Sequence, residues 1–282
     1  MKRTIIIIVC LFFLKSVNAQ SNDFEAASYN IGIGAIFSGI GAVINKKPNE
    51  KFHKVLLTGM GKGAVGGYVV FESKRMTRNI NTQENWHYAW GGKFLNSIGT
   101  SFIENASSNR KLWDQFNINF GFIRVEMYTT NHFKIQPKIM PVALYGTVRN
   151  SFLGEFNLKR SLQTGEFIFM SKKYYQNTGV VFVNSPLIHE TVFNNYNLVS
   201  HEIIHTYQYN DFNAINMYLL KTKKRIESKS TFVAKVNKWI YWDLQGIALR
   251  SLYLLENNNR DCYFDNFFEH EAGYYGNNID CE

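Results

Sequence analysis

The spacing of apolar residues divides the chain into helical and extended regions. Between residues 117 and 184, short segments rich in Val, Ile, Phe and Tyr alternate with turn signals such as Thr164-Gly165, which predicts an antiparallel sheet. Ser185-Pro186 then opens a helical C-terminal half, because proline suits the first turn of a helix. The expected strands are 120–128, 139–148, 152–158, 166–170 and 180–183. Residues 92–108 are expected to be helical, since apolar residues recur there every three or four positions: Phe94, Leu95, Ile98 and Phe102.

Two glycine-rich apolar tracts, 32–44 and 55–71, come before the sheet. Small residues at such spacing let two helices approach closely, but each tract is shorter than a comfortable membrane span of about 20 residues. We therefore expect a buried, tightly packed hairpin, with peripheral membrane contact as the alternative. Residues 20–110 would form a mainly helical N-terminal region. Residues 111–282 would hold the sheet (117–184) and later helices (186–275).

The first nineteen residues have the pattern of a cleaved export signal. A basic start at Lys2 and Arg3 leads into an apolar run from Ile5 to Leu14, and Ala19 ends a small-residue cleavage site. We expect residues 1–19 to be a signal peptide, which makes the mature protein periplasmic, cell-surface or secreted. No internal repeat or linker is found in the remainder, so a single α+β unit is the simplest arrangement.

The most specific chemical signal is the pentad H-E-x-x-H at residues 201–205. On a helix, residues four apart share a face, so His201 and His205 can converge on one metal ion. Glu202 lies at the edge of that face, where it can take a proton from a metal-bound water. Catalytic zinc has three protein ligands and an open position. Asp211, Glu269 and Glu271 are candidates for the third, and Glu269 is preferred if its segment is a second helix.

The H-E-x-x-H pentad with a glutamate 64 residues later resembles the gluzincin branch of zinc metallopeptidases. The resemblance covers about 197–275 and implies a zincin-like α+β fold: an antiparallel sheet, then the H-E-x-x-H helix and C-terminal helices. It implies one Zn²⁺ per chain, held by His201, His205 and Glu269, with Glu202 as the general base. Gln208 fits the H-E-x-x-H-x-x-Q form of small gluzincin-like domains.

The chain departs from this family four residues after the third ligand. Several relatives have an aspartate at the position of Gly273, so the usual carboxylate behind a histidine ligand is missing. Asp243 and Glu271 are the replacements that the sequence offers. Oxyanion or second-sphere roles are expected among the neighbours of Glu269, with no basis for choosing one of them: His270, Glu271, Tyr274 and Tyr275.

Cysteine and charge add two further expectations. Cys262 and Cys281 remain after cleavage and would be exported, so a disulfide between them is predicted, with two buried thiols as the alternative. The net charge falls from +9 to +6 with the leader removed, and much of the excess lies in 221–238. A basic face there could contact lipid head groups or an anionic polymer, or be only a solvated surface. An exported chain without a recognition motif is not expected to bind nucleic acid.

The sequence therefore predicts a secreted zinc metallopeptidase acting on protein or peptide substrates. Two alternatives remain open. The chain could be an envelope-associated binding or structural protein with a degenerate zincin domain, or a zinc hydrolase acting on cell-wall peptides. Loss of activity with retention of zinc in Glu202→Gln would separate the enzymes from the binding protein.

Overall fold

The structure is a computed structural model that describes residues 22–130, 132–173, 179–256 and 262–279. The predicted signal peptide and Cys281 lie outside the described residues. The class is mixed α+β and mostly helical, which confirms the predicted class at that level. In chain order the elements are α1 (Asp23–Asn45), α2 (Phe52–Thr82), α3 (His87–Ser107), β1 (Gln115–Phe120), β2 (Ile123–Tyr128), β3 (Lys134–Ile139), α4 (Pro141–Leu153), β4 (Glu155–Phe156), α5 (Leu158–Thr164), β5 (Phe169–Ser171), β6 (Gly179–Phe182), β7 (Ser185–His189), α6 (Tyr196–Asp211), α7 (Leu220–Glu227), α8 (Thr231–Val236), α9 (Gln245–Glu256) and α10 (Phe267–Gly276), with 3₁₀ turns at Glu190–Val192, Asn213–Leu219 and Tyr263–Asp265.

The two glycine-rich tracts form an antiparallel helical hairpin of α1 and α2. A Cβ atom added at Gly67 would lie 2.2 Å from the carbonyl oxygen of Asn30, and one at Gly34 would lie 2.4 Å from that of Gly63. No side chain larger than hydrogen fits at such a crossing, so glycine is required there. Helix α3, which covers the helix expected at 92–108, packs on α2 and leads into β1.

Helix α1 is the one described helix that is long and apolar enough to cross a membrane. Its composition is also that of a buried helix, and it packs on α2 and α3. Length and apolar composition alone therefore do not distinguish these roles.

Two small sheets replace the single antiparallel sheet expected for 117–184. Strands β1, β2 and β3 form an antiparallel sheet, whereas β4, β5, β7 and β6 form a mixed one, because β5 and β7 run parallel. Ser185-Pro186 lies in β7 and does not begin a helix, contrary to the prediction. Of the strand predicted at 152–158 only the two residues of β4 are extended, and the strand predicted at 139–148 is wrong, since α4 begins at Pro141. Asp243 accepts hydrogen bonds from the first amides of α4, Val142 (3.0 Å) and Ala143 (2.8 Å). This cap comes from a residue a hundred positions away, so the local composition did not reveal the helix.

Candidate metal site

The H-E-x-x-H pentad lies in the middle of α6. The helix starts after Asn195, whose side chain caps it by accepting a hydrogen bond from the Leu198 amide at 3.2 Å. The apolar stripe of α6 is fully buried in the main core: Val199, Ile203 and Tyr207. Burial of this stripe fixes the rotation of the helix and so the direction in which the two histidines point.

Helix α10 brings Glu269 to the histidines. Asn266 caps its start by accepting a hydrogen bond from the Phe268 amide (2.9 Å), and Asn277 ends it in the left-handed conformation. Gly276 lies directly against α6, because an added Cβ would be 2.9 Å from the Cβ of His201. The close contact of α6 and α10 places Glu269, in the first turn of α10, at the histidine face.

Three ligand atoms converge at this contact. Glu269 Oε2 lies 3.3 Å from His201 Nε2 and 3.1 Å from His205 Nε2, and the two Nε2 atoms are 3.0 Å apart. All three side chains are mostly buried. This His201–His205–Glu269 group could hold a metal ion. Of the three candidates for a third ligand, the structure brings Glu269 to the histidines.

The cluster is strongly polarised in the metal-free protein. Burial opposes the charge on His205, but the carboxylate of Glu269 outweighs it and raises the pKa of His205 to about 9. Burial likewise opposes the charge on Glu269, and the histidines nevertheless hold its pKa well below the usual range. A carboxylate that stays ionised next to two imidazoles is a natural cation ligand. Since ligands bind metal unprotonated, metal binding would compete with the proton on His205.

Two tyrosines that the sequence analysis did not single out support Glu269. Tyr253 of α9 donates a hydrogen bond to Glu269 Oε1 at 2.8 Å, and the hydroxyl of Tyr263 also bonds this carboxylate. Burial, followed by the charge of Glu269, raises the pKa of both phenols, so both remain protonated donors at neutral pH. Tyr263 is 45% exposed and lies where the cluster meets solvent. Its position next to the disulfide-bonded Cys262 was the available sequence signal.

Glu202 is buried beside the ligands and has one free carboxylate oxygen. Burial raises its pKa, and Glu269 adds to this increase while the histidines oppose it. Its Oε2 atom has no hydrogen-bond partner among the described residues. Strand β6 begins against it, because a Cβ added at Gly179 would lie 2.5 Å from Glu202 Oε1. Glycine at 179 thus lets the edge strand approach the carboxylate.

Gln208 fixes how His205 is presented to the cluster. Its Nε2 donates to the carbonyl of Phe268 (2.8 Å) and to Glu271 Oε2 (2.9 Å), so its Oε1 must be the atom 2.8 Å from His205 Nδ1. An oxygen there accepts a proton from Nδ1. Nδ1 therefore keeps its proton, and Nε2 is the nitrogen available to a metal.

A buried lysine from the N-terminal hairpin completes this chain of contacts. Lys74 of α2 is fully buried, and its ammonium lies 2.8 Å from Glu271 Oε1, 2.6 Å from Asp211 Oδ2 and 2.9 Å from Asn30 Oδ1. Glu271 is thus the carboxylate behind the histidine ligand, although it acts through Gln208. Asp243, the other replacement considered, instead caps α4 and accepts from Tyr209 at 2.5 Å.

The other predicted site residues lie elsewhere. Asp211 pairs with Lys74 and does not belong to the ligand group. Tyr274 donates to Asp23 Oδ1 at 2.6 Å, on the side of α10 that faces α1, and Tyr275 is buried in the main core. His270 is adjacent to the ligand but outside the ligand group. None of these four belongs to the ligand group, whereas Tyr263 bonds Glu269.

Of the two cysteines in the predicted disulfide, only Cys262 lies among the described residues. Cys262 is disulfide-bonded, and its sulfur accepts a hydrogen bond from the Phe264 amide in the turn before α10. Its predicted partner, Cys281, lies outside the described residues, so that pairing remains a prediction.

The chain matches no protein-family model, no curated protein and no solved structure. Function must therefore be argued from the geometry of this site.

Proposed function

We propose that the protein is a zinc-dependent hydrolase of peptide bonds. The observation that carries the proposal is the convergence of His201, His205 and Glu269 from two helices, with Glu202 buried beside them. Two imidazoles and one carboxylate are a common ligand set of catalytic zinc, which leaves a fourth position for water or substrate.

The residues fit the metal in three respects. Ligand atoms about 2.05 Å from a tetrahedral ion are about 3.3 Å apart, close to the separations of 3.0, 3.1 and 3.3 Å found here. Gln208 leaves His205 Nε2 available for the metal. Oε2 of Glu202 is a buried acceptor without a hydrogen-bond partner among the described residues. Such an atom lowers the stability of the fold, and a catalytic role would account for its presence. A zinc ion, when bound, would supply Lewis-acid activation of water and of the substrate carbonyl.

Each chemical role falls to a residue of this cluster. Glu202 would remove a proton from the attacking water and return it to the nitrogen of the departing amine, which breaks the C–N bond. Burial raises the pKa of Glu202, which makes it a stronger base than an ordinary carboxylate and favours removal of the proton from water. Tyr263 is a protonated donor at the solvent side of the site and would stabilise the developing oxyanion.

The edge strand next to Glu202 supports a peptide as substrate. In the order β4-β5-β7-β6, β6 has no second neighbouring strand among the described residues. An extended peptide could pair with its free backbone groups and pass over Glu202 at Gly179. With the predicted leader, this reaction would take place outside the cytoplasm.

The test compares three glutamate variants of the purified protein. Glu269→Gln should lose stoichiometric zinc, since a neutral amide replaces the charged ligand. Glu202→Gln should retain zinc but lose peptide hydrolysis by a factor of about 100 or more, the usual share of a general base. Glu166→Gln removes a buried acid that pairs with Lys93 and does not belong to the ligand group, so it controls for loss of stability.

Zinc content and hydrolysis of a mixed peptide library are the two measurements. Full zinc binding and activity in Glu269→Gln would contradict the ligand assignment. Retained hydrolysis in Glu202→Gln would contradict the general-base role. A wild-type protein that binds no zinc would contradict the proposal as a whole and favour an envelope binding protein.

A further inference from the structure

The positive charge of the protein is concentrated on one face. Residues 133–139 and 221–242, here called the basic face, contain nine Lys or Arg and one Glu. The rest of the chain after residue 19 contains nineteen Lys or Arg and twenty-one Asp or Glu. The basic face therefore carries all of the excess positive charge. None of its residues has a role in the proposed hydrolysis.

The two segments form one continuous surface. Ile139 at the end of β3 bridges Ile240 in parallel, with its amide 2.7 Å from the Trp239 carbonyl. The Gln136 side chain also bonds the Lys238 carbonyl. The segment 221–242 thus extends the open edge of β3, and their cations and apolar side chains adjoin.

Most of the cations on this surface lack a neutralising acid. Lys138 pairs with Glu126 of β2 at 2.8 Å, and Glu227, the one acid of the two segments, is 4.0 Å from Lys223 and accepts from Asn237 at 2.9 Å. The other seven cations have no ion pair among the described residues. Burial, followed by the nearby charge of Lys138, lowers the pKa of Lys223. Lys235 and Lys238 are exposed. Like charges held this close attract an anionic partner.

Large apolar side chains stand among these cations. Phe232 is 73% exposed, Trp239 64% and Trp242 48%. Phe133, just before β3, and Ile135 on β3 are also exposed. Exposed apolar area is a cost in water, whereas tryptophan favours the head-group layer of a bilayer. A purely anionic polymer would pair with the lysines but leave these apolar side chains exposed to water.

We propose that the basic face binds the surface of anionic lipid bilayers, with its lysines on the phosphate groups and Trp239 in the interfacial layer. The combination of Lys and Trp on one surface is that of proteins that lie on membranes. Such binding would not depend on the chemistry of the proposed metal site.

The test is co-sedimentation of the full protein with vesicles of phosphatidylcholine, alone or mixed with phosphatidylglycerol. Binding should require phosphatidylglycerol and weaken at high salt. The double variant Lys235→Gln/Lys238→Gln should bind about 25-fold more weakly, since each Lys near an anionic surface contributes about fivefold. The matched control Lys47→Gln/Lys54→Gln removes two exposed lysines from outside the basic face and should bind like the wild type.

Brominated lipid chains then distinguish a bilayer contact from simple charge attraction. They should quench the fluorescence of the wild type, lose most of this effect in Trp239→Phe and keep it in Trp113→Phe, which replaces an exposed tryptophan outside the basic face. Absence of binding, or equal weakening in both lysine pairs, would overturn the proposal. Charge-dependent binding without quenching would overturn it in favour of a soluble anionic polymer as partner.

Discussion

The hydrogen bonds of Gln208 make a quantitative prediction about metal binding. Its buried amide connects the ligand His205 to Glu271 and to the Phe268 carbonyl, at 2.8, 2.9 and 2.8 Å. In Gln208→Leu these bonds are lost without much change in volume. His205 would then be free to rotate or to place its proton on Nε2, the nitrogen that the metal needs.

The magnitude follows from the contacts that remain. The Phe268 carbonyl and Glu271 each lose the hydrogen bond that the Gln208 amide donates, whereas Glu271 keeps its bonds to Lys74 and Asn30. Loss of each bond costs about 1–3 kcal/mol, which predicts a loss of about 2–6 kcal/mol in unfolding free energy. Loss of a group that orients a ligand costs about 10–100-fold in metal affinity.

The assay is zinc competition against a chelating dye, with denaturant unfolding of the metal-free proteins measured in parallel. Gln245→Leu is the matched control, because Gln245 is also a buried glutamine, but it bonds Asn216 (2.5 Å) instead of a ligand. It should lose stability while binding zinc like the wild type. If both leucine variants bind zinc with wild-type affinity, the positioning role of Gln208 is refuted.

Two further predictions concern the hairpin. Lys74→Met should lower the unfolding free energy by about 3–5 kcal/mol at pH 8, as removal of one partner of a buried pair does. Burial raises the pKa of Asp211 to about 6, so its ionised form lowers the stability of the fold as pH rises through that value. The loss of stability in Lys74→Met should therefore be smaller below pH 6, where Asp211 is protonated. Urea unfolding at several pH values would measure this difference. Lys93→Met breaks another buried pair and should lose stability but not zinc affinity. Gly67→Ala should destabilise the protein strongly, whereas Gly61→Ala, with open space at the added Cβ, should stabilise it by about 0.4–1 kcal/mol, both measured by thermal unfolding.

The parts of the fold that were predictable are those that local patterns determine. The stripe of Val199, Ile203 and Tyr207 indicated α6, and small residues at helical spacing indicated the hairpin. Helix α4 was missed because Asp243, which caps it, is distant in sequence, while the Val and Tyr content of the segment is typical of strands.

The site was predictable only where chemistry is written in a short motif. His201, Glu202 and His205 follow from their spacing, and Glu269 from the resemblance to a family. Tyr253 and Tyr263 could not be chosen among sixteen tyrosines, because only tertiary packing turns their hydroxyls towards Glu269.

Lys74 left a signal that can be recognised in other sequences. It continues the close-packed stripe of Gly63 and Gly67 on α2, three and four residues apart through Val70. A lysine on a stripe that buries glycine against another helix must itself be buried, and a buried ammonium needs carboxylates around it. The two acids that neutralise it, Asp211 and Glu271, follow the candidate ligands His205 and Glu269 in the sequence.

This arrangement bears on the boundary that the sequence suggested at residue 110. Lys74 and Asn30, both N-terminal to it, hold Glu271, which is two residues from the ligand Glu269. Without them, Glu271 and Asp211 would be buried carboxylates with no cation, and like charges so close cannot both stay ionised. Helices α6 and α10 therefore depend on the hairpin for the charge balance of the candidate metal site. The hairpin belongs to the chemistry of the site, and a chain starting at residue 111 should neither fold stably nor bind zinc.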